Sequence, residues 1–520
     1  MFIRGLFCVF LLVSFKASGQ NIVDVVHYRF EIGLSDKSDV ITGRAEVNLK
    51  FSKPVNSFYL HLVGFKDGKG MQVYSVTEND VPVKFIHAND KIEIRLDKPA
   101  LSDSARKFVI SYMGEPADGL IISSNKYGER TFFSDNWPDR ARNWIPCNDD
   151  PSDKSSVEFI VLAPPHYKVV SNGLLVKEEV LSSVMKQTHW KETLPIPTKI
   201  MVIGVARFAV TRVDSFYKVP VTAWVYPQDS AKGALDYELA DDILRFFETL
   251  IGPYPYKKLA NVQSKTIFGG MENANTIFYN ENSVTGTGSS EALIAHEIAH
   301  QWFGNTVTEK NFHHLWLSEG FATYLTNMYI EHKYGRDSFL KRLDDEKQNV
   351  IRFANRSNLP VVDSVSAYMD LLNANSYDKG GWILHMLREE LGDEGFKKLL
   401  KDFYTAYKFS NANSSDFQML AEEIAGRDLS WFFKQWLYMP GVPELKIEMK
   451  IDGNEFRMRI TQGEQLYQLP LSFHIIKEDG SLIKEKLWIE GKTTEFKMAT
   501  NGPVKVAIDP DNNLLFQAKE

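Results

Sequence analysis

The residues whose types and spacing point most directly to chemistry lie in the middle of the chain. His296 and His300 are four positions apart, and Glu297 stands beside the first of them. On a helix, residues four apart lie on one face, so both imidazoles can reach one metal ion. Glu297 then lies next to a water bound to that metal and can act as a general base. Since this composition gives the five-residue pattern by chance in about one such chain in fifty, the pattern alone is only suggestive.

A third candidate ligand strengthens the metal hypothesis. Eighteen residues separate His300 from Glu319, which we expect to open a helix capped by Ser318. Catalytic zinc takes three protein ligands and leaves one position for water. The set therefore predicts one Zn²⁺ per chain, with cobalt or manganese as alternative metals and a degenerate, metal-free site as the other alternative. His313 and His314 are expected to pack near the site rather than to bind the metal, because the ligand set is already complete.

A second segment carries candidate substrate-binding residues. It follows residues 266–268, which have the pattern of a strand. Two glycines at a strand edge let another backbone approach closely, so a peptide can add there as an extra strand. Glu272 would then face the free ammonium group of a peptide substrate, although a glycine pair before a glutamate is by itself more typical of a turn. The candidate residues are Gly269, Gly270, Met271, Glu272 and Asn273.

Three compositional blocks are expected to position these residues. Alternating apolar and polar runs with regular turn residues predict a β-rich N-terminal domain over residues 20–208. A helical period predicts a mainly helical catalytic domain over residues 209–438, and returning alternation predicts a small C-terminal β-sandwich over residues 439–520. The fold class is therefore multidomain α+β. The predicted helices cover 234–250, 290–303, 318–334, 378–391, 395–408, 415–425 and 428–438.

Local signals mark the ends of several of these helices. Gly335 and Gly392 follow the last apolar turn of a helical pattern, where glycine is a common terminator. Ser415 and Gln418 have the spacing of a capping box. Residues 285–289, rich in glycine, threonine and serine, are expected to form a flexible segment before the helix that carries the histidines.

The N-terminal residues have the pattern of a secretory signal peptide. Arg4 precedes the apolar run at 6–13, and small residues at 17–19 suit cleavage before or near Gln20. The apolar run is too short to span a bilayer, so we expect an exported periplasmic or extracellular protein with no stable membrane anchor. A cytosolic protein with an apolar N-terminus is the alternative. Export would leave Cys147 as the single cysteine and exclude an intramolecular disulfide, which favours a bacterial envelope.

The composition limits the classes of protein to which the chain can belong. The chain has 520 residues, 44% hydrophobic and 24% charged, which is typical of a globular protein of about three domains. There are 60 Lys and Arg against 67 Asp and Glu, a net charge of −7. Since no long basic run occurs, the sequence argues against nucleic acid as a partner. Aromatic residues make up 12%, and core packing is their expected role.

Taken together, the motifs resemble those of the aminopeptidase N family of zinc metallopeptidases, the gluzincins that also include leukotriene hydrolase. Residues 269–273 resemble its Gly-x-Met-Glu-Asn exopeptidase motif, and residues 296–319 match its zinc ligands and their spacing. Residues 376–380 resemble its Tyr-x-Lys-Gly element. Residues 144–151 and 436–443 resemble its N-terminal-domain motif and the junction into its third domain, so the similarity spans essentially the whole mature chain.

The resemblance implies a thermolysin-like catalytic domain and an activity. The expected enzyme is a zinc-dependent aminopeptidase that acts on peptides with a free N-terminus, with Glu297 as general base and Tyr377 stabilising the transition state. The family also offers a second residue to the substrate amine from its N-terminal domain. Here Asp135 is the candidate, and Trp137 is the alternative occupant of that position.

The chain also departs from the family pattern. Gly270 stands where alanine is common, and Ser318 stands where asparagine often precedes the glutamate ligand. The sequence is expected to lack the C-terminal helical domain of many relatives. An epoxide hydrolase like leukotriene hydrolase, a zinc endopeptidase and a non-catalytic scaffold are the competing hypotheses.

Overall fold

A computed structural model describes residues 22–214, 218–452, 454–500 and 502–519 of the chain. Strands dominate the first part of the chain, helices the middle and strands again the last part, so the predicted order of the three blocks is confirmed. The predicted signal peptide at 1–19 lies outside the described residues. Within the part of the chain that is described, no helix is long and apolar enough to cross a membrane.

The N-terminal part consists of three β-sheets. The alternating pattern in the sequence has its physical cause in burial: along the first strand Phe30 and Ile32 are buried while their neighbours are partly exposed. The strands are β1 Val23–Ser35, β2 Ser38–Phe51, β3 Val55–His61, β4 Gly70–Glu78, β5 Val81–Pro82, β6 Lys84–Ala88, β7 Lys91–Ala100, β8 Arg106–Glu115, β9 Leu120–Ser124, β10 Arg130–Ser134, β11 Lys154–Ala163, β12 Lys168–Ser171, β13 Leu174–Ser182, β14 Met185–Pro197 and β15 Ile203–Ala206.

These strands divide into one large and two small sheets. The eight-stranded sheet has the order β13-β14-β11-β1-β2-β8-β4-β5, with β1 parallel to β11 and antiparallel to β2. The four-stranded sheet has the order β12-β15-β10-β9, and the three-stranded sheet has the order β3-β7-β6. Cys147, between β10 and β11, is buried and forms no disulfide.

In its described residues, the middle part combines a five-stranded sheet with seven α-helices. The sheet order is β16-β17-β18-β20-β19, and β19 is an edge strand that pairs antiparallel with β20. A two-stranded sheet joins β21 and β22. The elements are β16 Ala209–Arg212, β17 Val221–Val225, α1 Ser230–Leu250, β18 Leu259–Ser264, β19 Gly270–Met271, β20 Thr276–Asn280, α2 Glu291–Ala299, β21 Val307–Glu309, α3 Trp316–Tyr334, α4 Arg336–Ala354, α5 Gly380–Tyr407, β22 Ser410–Ala412, α6 Ser414–Ala425 and α7 Ser430–Phe433.

Helix α3 is the centre of this part, and every residue from Trp316 to Ile330 is buried. It crosses the start of α5 at a glycine contact: a Cβ on Gly320 would lie 2.7 Å from the Cα of Gly380, closer than atoms can pack. Glycine at both positions therefore lets the two helix backbones touch. Because Gly320 follows Glu319, this contact brings a candidate metal ligand next to the start of α5.

Four local predictions need correction. Helix α4 was not predicted, because a single residue, Gly335 with φ 87°, separates it from α3 and nearly half of its residues are charged. Ser318 lies inside α3 rather than at its cap. The capping box of α6 is formed by Asn413 and Asp416, since the Asn413 side chain accepts from the Asp416 backbone. Residues 266–268 are not a strand.

The expected flexible segment at 285–289 is instead held by one side chain. The carboxylate of Asp236 on α1 accepts from the backbone N–H groups of Thr285, Gly286 and Gly288, at 2.7 to 2.8 Å. The predicted break at Gly392 is present, because this residue has φ 71° inside α5.

The C-terminal part consists of two small sheets. Their orders are β27-β24-β23-β29 and β26-β25-β28. Phe473 of one sheet meets Phe496 of the other edge to face, with ring centroids 5.0 Å apart, as expected for two layers of a sandwich. The strands are β23 Glu444–Asp452, β24 Glu455–Gln462, β25 Leu469–Lys477, β26 Leu482–Ile489, β27 Thr493–Ala499, β28 Val504–Ile508 and β29 Gln517–Lys519.

Candidate active site

Three side chains from two helices converge on one point. His296 lies on α2 and His300 is the C-cap residue of this helix, and their Nε2 atoms are 3.1 Å from each other. Each lies 3.3 Å from Oε2 of Glu319 in the first turn of α3. Tetrahedral zinc with bonds of 2.0–2.1 Å separates its ligand atoms by about 3.3 Å, so the spacing and the donor types fit Zn²⁺. Among the described residues, these three form the group able to hold a metal ion.

The electrostatics of the three ligands also favour a cation. Burial works to raise the pKa of Glu319, but His300 and His296 outweigh it and hold that pKa well below its usual range. Burial works to lower the pKa of His300, but Glu319 outweighs it and raises the pKa to about 9. The carboxylate is thus held ionised in a buried place, where a positive charge stabilises it.

Two contacts of its Nδ1 atom fix the orientation of the His300 imidazole. Its Nδ1 lies 3.1 Å from the carbonyl oxygen of Phe303 and 3.1 Å from Oγ of Ser318. A carbonyl can only accept, so Nδ1 carries a proton, and Nε2 is the nitrogen that would give up its proton to bind a metal. Ser318, at the position where the family often has asparagine, therefore contributes a hydroxyl that helps to orient the candidate ligand His300.

Glu297 lies between the ligands and the edge strand. Its carboxylate reaches the backbone of Gly270, where a Cβ would overlap it, so glycine at this position gives the carboxylate its room. Only 4% of Glu297 is exposed, and burial raises its pKa well above the ordinary value. His300 opposes this shift, while Glu272 and Glu319 add to it.

Tyr377 belongs to a single π-helical turn, Asn375–Lys379, that leads into α5. Such turns are rare and frequently occur at functional sites. Burial first, and then the carboxylates of Glu319 and Glu272, raise the pKa of Tyr377 well above its usual value, so its hydroxyl remains a hydrogen-bond donor. Lys379 fixes the turn from the other side, because its Nζ donates to the carbonyl of Gly441 at 2.8 Å.

Glu272 lies directly after the edge strand β19. It is 5% exposed, and its Oε1 has no hydrogen-bond partner among the described residues. Burial raises the pKa of Glu272, opposed by His300 and Lys199. A buried carboxylate without a full set of partners at the end of an open strand edge is suited to receive a cationic group.

The three candidate ligands line one cavity of about 550 Å³ together with Glu297, Tyr377 and Glu272. Of the five residues in the predicted substrate-binding segment, Gly269, Gly270, Met271 and Glu272 line it, while Asn273 does not and is fully buried. The unpredicted helix α4 contributes a polar stripe to the wall, at positions spaced for one helical face. These four residues are Arg342, Asp345, Glu346 and Asn349.

Asp135 is not brought into this cavity, contrary to the expectation that it could bind the substrate amine. It is fully buried, and its two carboxylate oxygens accept from Arg140 at 2.6 Å, Thr266 at 2.9 Å and the backbone of Ile267 at 3.1 Å. Asp135 thus holds the segment that leads to Gly269. Trp137, the alternative occupant, lines the cavity instead.

The other aromatic and histidine residues near the site act as support. Trp137 packs edge to face on Phe268 and Phe312, with centroids 6.0 and 5.7 Å apart. His314 has Nδ1 2.8 Å from Oγ of Ser414, and neither it nor His313 belongs to the metal-binding group. Of the cavity residues, Phe268 and Leu372 had no signal in the sequence beyond their proximity to the two motifs.

Comparison with known protein families agrees with this geometry. Residues 235–436 match the Peptidase family M1 domain, and residues 25–200 match the Peptidase M1 N-terminal domain. The chain therefore belongs to the M1 family of peptidases, and the resemblance to the aminopeptidase N family is confirmed.

Two curated relatives extend the comparison. Glutamyl aminopeptidase of Sus scrofa is 26% identical over 464 residues, which are 82% of this chain and 48% of the relative. Probable aminopeptidase 1 of Sulfurisphaera tokodaii is 27% identical over 80% of this chain and 54% of the relative. This chain thus spans about half the length of these relatives.

A crystal structure of Legionella pneumophila aminopeptidase A in complex with aspartic acid has the same fold. The TM-score is 0.84 at 18% sequence identity, and the match covers 96% of this chain and 60% of that one.

Proposed function

We propose that this protein is a zinc-dependent aminopeptidase that removes single residues from peptides with a free N-terminus. The observation that carries the proposal is the position of Glu272, whose buried carboxylate lines the same cavity as the three ligand atoms. The M1 family membership and the aminopeptidase relatives support it. Held by His296, His300 and Glu319, a zinc ion would supply Lewis acidity to a water and to the substrate carbonyl.

Glu297 moves the proton in this proposal. Its carboxylate lies between α2 and the backbone of Gly270, where the attacking water and the scissile bond would meet. Burial alone favours the protonated form of Glu297, but a zinc ion beside it would favour the carboxylate. The carboxylate takes a proton from the water as general base and gives it to the leaving amine as general acid. The shielding of Glu297 from solvent keeps that proton inside the site.

Tyr377 stabilises the charge that develops on the carbonyl oxygen. The phenol remains protonated and lines the cavity, so its hydroxyl can donate a hydrogen bond to the oxyanion. The stacking of its ring on His296 fixes the ring before substrate binds.

The edge strand sets where the chain is cut. A peptide that adds antiparallel to β19 places its amino group at Glu272 and runs back towards Gly269. Glu272 binds the ammonium group by a charge-assisted hydrogen bond. With the ammonium group held there, the first peptide bond of the substrate would lie at the metal site, so that one residue is released. Peptides with a blocked amine would meet an unpaired buried carboxylate instead of a partner.

We also propose that the protein is exported, on the basis of residues 1–19. The described part of the chain contains one cysteine, Cys147, which is buried and free, so export demands no disulfide formation. Expression of the full-length gene with N-terminal sequencing of the accumulated protein tests this. A new N-terminus near residue 20 is expected, and retention of residues 1–19 would contradict it.

The function itself is tested by metal content and one matched pair of variants. The wild type is expected to purify with one zinc per chain and to hydrolyse an aminoacyl substrate, with activity lost on chelation and restored by Zn²⁺. Glu297→Gln should keep the zinc and lose activity by about 10² to 10⁴, the usual contribution of a general base. Glu394→Gln makes the same change at a side chain that is 88% exposed and should change nothing. Full activity of the Glu297→Gln variant, or a protein without metal, would reject the proposal.

A further inference from the structure

The main chain of Glu272 is held by two buried amide side chains that do not touch the cavity. Nε2 of Gln301 and Nδ2 of Asn305 both donate to the backbone oxygen of Glu272, at 2.9 and 2.6 Å. Both side chains are fully buried, and neither lines the cavity. A backbone carbonyl with two side-chain donors is fixed in direction as well as in position.

Gln301 makes a second contact to the same turn. Its Oε1 accepts from the backbone N–H of Asn275 at 2.8 Å. One side chain thus bridges both ends of the turn that begins with Glu272. Asn305 is tied to the metal helix in turn, because its backbone N–H donates to the carbonyl of His300 at 3.0 Å.

The sheet does not provide this support to Glu272. The pairing of β19 with β20 consists of Gly270 with Tyr279 and Met271 with Phe278, and it ends before Glu272. Gln301 follows the ligand His300 directly, and Asn305 is four residues further on. The two side chains that hold the backbone of Glu272 therefore come from the segment that directly follows the metal helix.

We infer that Gln301 and Asn305 are positioning residues, which fix the separation between the amine-binding carboxylate and the metal ligands and so set the one-residue register of cleavage. This inference rests on the proposed aminopeptidase function for its catalytic meaning. The physical reason is the sensitivity of catalysis to geometry, since a displacement of about 1 Å can cost about 10² in rate. Gln301 and Asn305 act through Glu272 and touch no reacting atom.

The test removes each amide side chain and determines whether the resulting loss of activity depends on Glu272. Gln301→Met and Asn305→Leu keep approximate size and lose the donors. Each is made in the wild type and in a Glu272→Ala background, and kcat and KM are measured with a free-amine aminoacyl substrate. Each single variant should lose at least about tenfold in kcat/KM, with a rise in KM, and should keep its zinc. In the Glu272→Ala background the same substitutions should cost less than about twofold, because the group that they position is gone.

Gln263→Met is the matched control. Gln263 is also a fully buried amide, and it donates to Asp229 at 2.7 Å and to the carbonyl of Glu281 at 3.0 Å, while it accepts from the backbone of Tyr226. Its loss removes similar hydrogen bonds without touching Glu272. It should lower the melting temperature while leaving kcat/KM within about twofold of wild type.

Two results would overturn the inference. One is an equal loss in both backgrounds, and the other is loss of zinc in the Gln301 or Asn305 variants, since either shows an effect on the metal helix or on the fold. If Asn305→Leu fails to fold, Asn305→Asp, which keeps the shape and removes the donor, takes its place. A readout independent of activity is hydrogen exchange at residues 270–276, which should accelerate in Gln301→Met and stay unchanged in Gln263→Met. Unchanged exchange in both would also overturn the inference.

These measurements distinguish a failure of the positioning inference from a failure of the proposed function. If the wild type does not cleave free-amine substrates, or if Glu272→Ala retains full activity, the proposed function or its anchor fails. The exchange measurement still decides whether Gln301 holds the turn.

Discussion

The ring of Tyr377 lies over the ring of His296, with centroids 5.9 Å apart and planes inclined by 15°. The contact joins the π-helical turn before α5 to the metal helix α2. Since the ring makes this contact and the hydroxyl lines the cavity, the structural and the catalytic contributions of Tyr377 can be separated by substitution.

Tyr377→Phe should therefore keep the stack and lose the hydrogen bond to the oxyanion. We expect kcat to fall by about 10² to 10³, with KM changed less than about threefold and zinc content unchanged. Steady-state kinetics measure kcat and KM, and metal analysis measures the zinc content. Tyr324→Phe is the control, because its buried hydroxyl lies 3.1 Å from Nδ1 of His385, away from the cavity lining. A Tyr377→Phe enzyme with nearly normal kcat would remove Tyr377 from the mechanism.

Glu272→Gln tests the amine-binding carboxylate with an almost isosteric change. Loss of the charge-assisted hydrogen bond should lower kcat/KM for free-amine substrates by about 10- to 150-fold, because such bonds contribute about 1.5–3 kcal/mol. Zinc content should not change, since Glu272 is outside the metal-binding group. Kinetics with a free-amine substrate and its acetylated analogue give the selectivity ratio. An unchanged ratio would mean that another residue recognises the amine.

Ser318→Ala tests the support of the metal ligand His300. The Ser318 hydroxyl lies 3.1 Å from Nδ1 of His300, but the carbonyl of Phe303 is equally close and remains in the variant. We therefore expect the zinc affinity to fall by about tenfold, the lower end of such effects. Competition with a chromogenic chelator measures it. Ser414→Ala, which removes a hydroxyl 2.8 Å from His314, serves as the control and should leave zinc affinity unchanged.

Glu346 on α4 predicts a pH dependence of stability. Burial raises its pKa from 4.5 to about 8, opposed by the Asn327 amide and by Arg342. The folded state then holds a proton that the unfolded state releases, so this contribution to stability is complete below about pH 4.5 and is lost as the pH rises to about 8. Glu346→Gln should be increasingly more stable than wild type as the pH is raised through this range. Thermal unfolding at several pH values measures the difference, and a pH-independent difference would exclude the shifted pKa.

The metal ligands and the edge strand were open to prediction because their spacing is local in sequence. His296 and His300 share one helical turn, and Glu272 follows its glycines directly, so short-range geometry is enough to group them. The order of the β, helical and β blocks was likewise visible in the hydrophobic period.

The remaining features depend on contacts between distant segments. Asp135 has the charge to bind an amine, but Arg140 and the Thr266–Ile267 segment take its oxygens, and no local pattern shows that. The role of α4 in the cavity wall was missed because its polar stripe looks like a solvent-exposed face until the helix is packed. The capping box of α6 shows the same limit on a smaller scale. Ser415 and Gln418 have the same spacing as Asn413 and Asp416, and the sequence alone does not show which pair caps the helix.

The measurement that tests the central claim most directly uses two peptides of identical sequence, one with a free N-terminus and one acetylated. Each is incubated with purified protein and Zn²⁺, with and without a chelator, and the products are read by mass. We predict stepwise loss of single N-terminal residues from the free peptide alone, abolished by the chelator. Internal cleavage of both peptides would show an endopeptidase, and no cleavage of either would leave the hydrolase and scaffold hypotheses. Each of these results would contradict the aminopeptidase account.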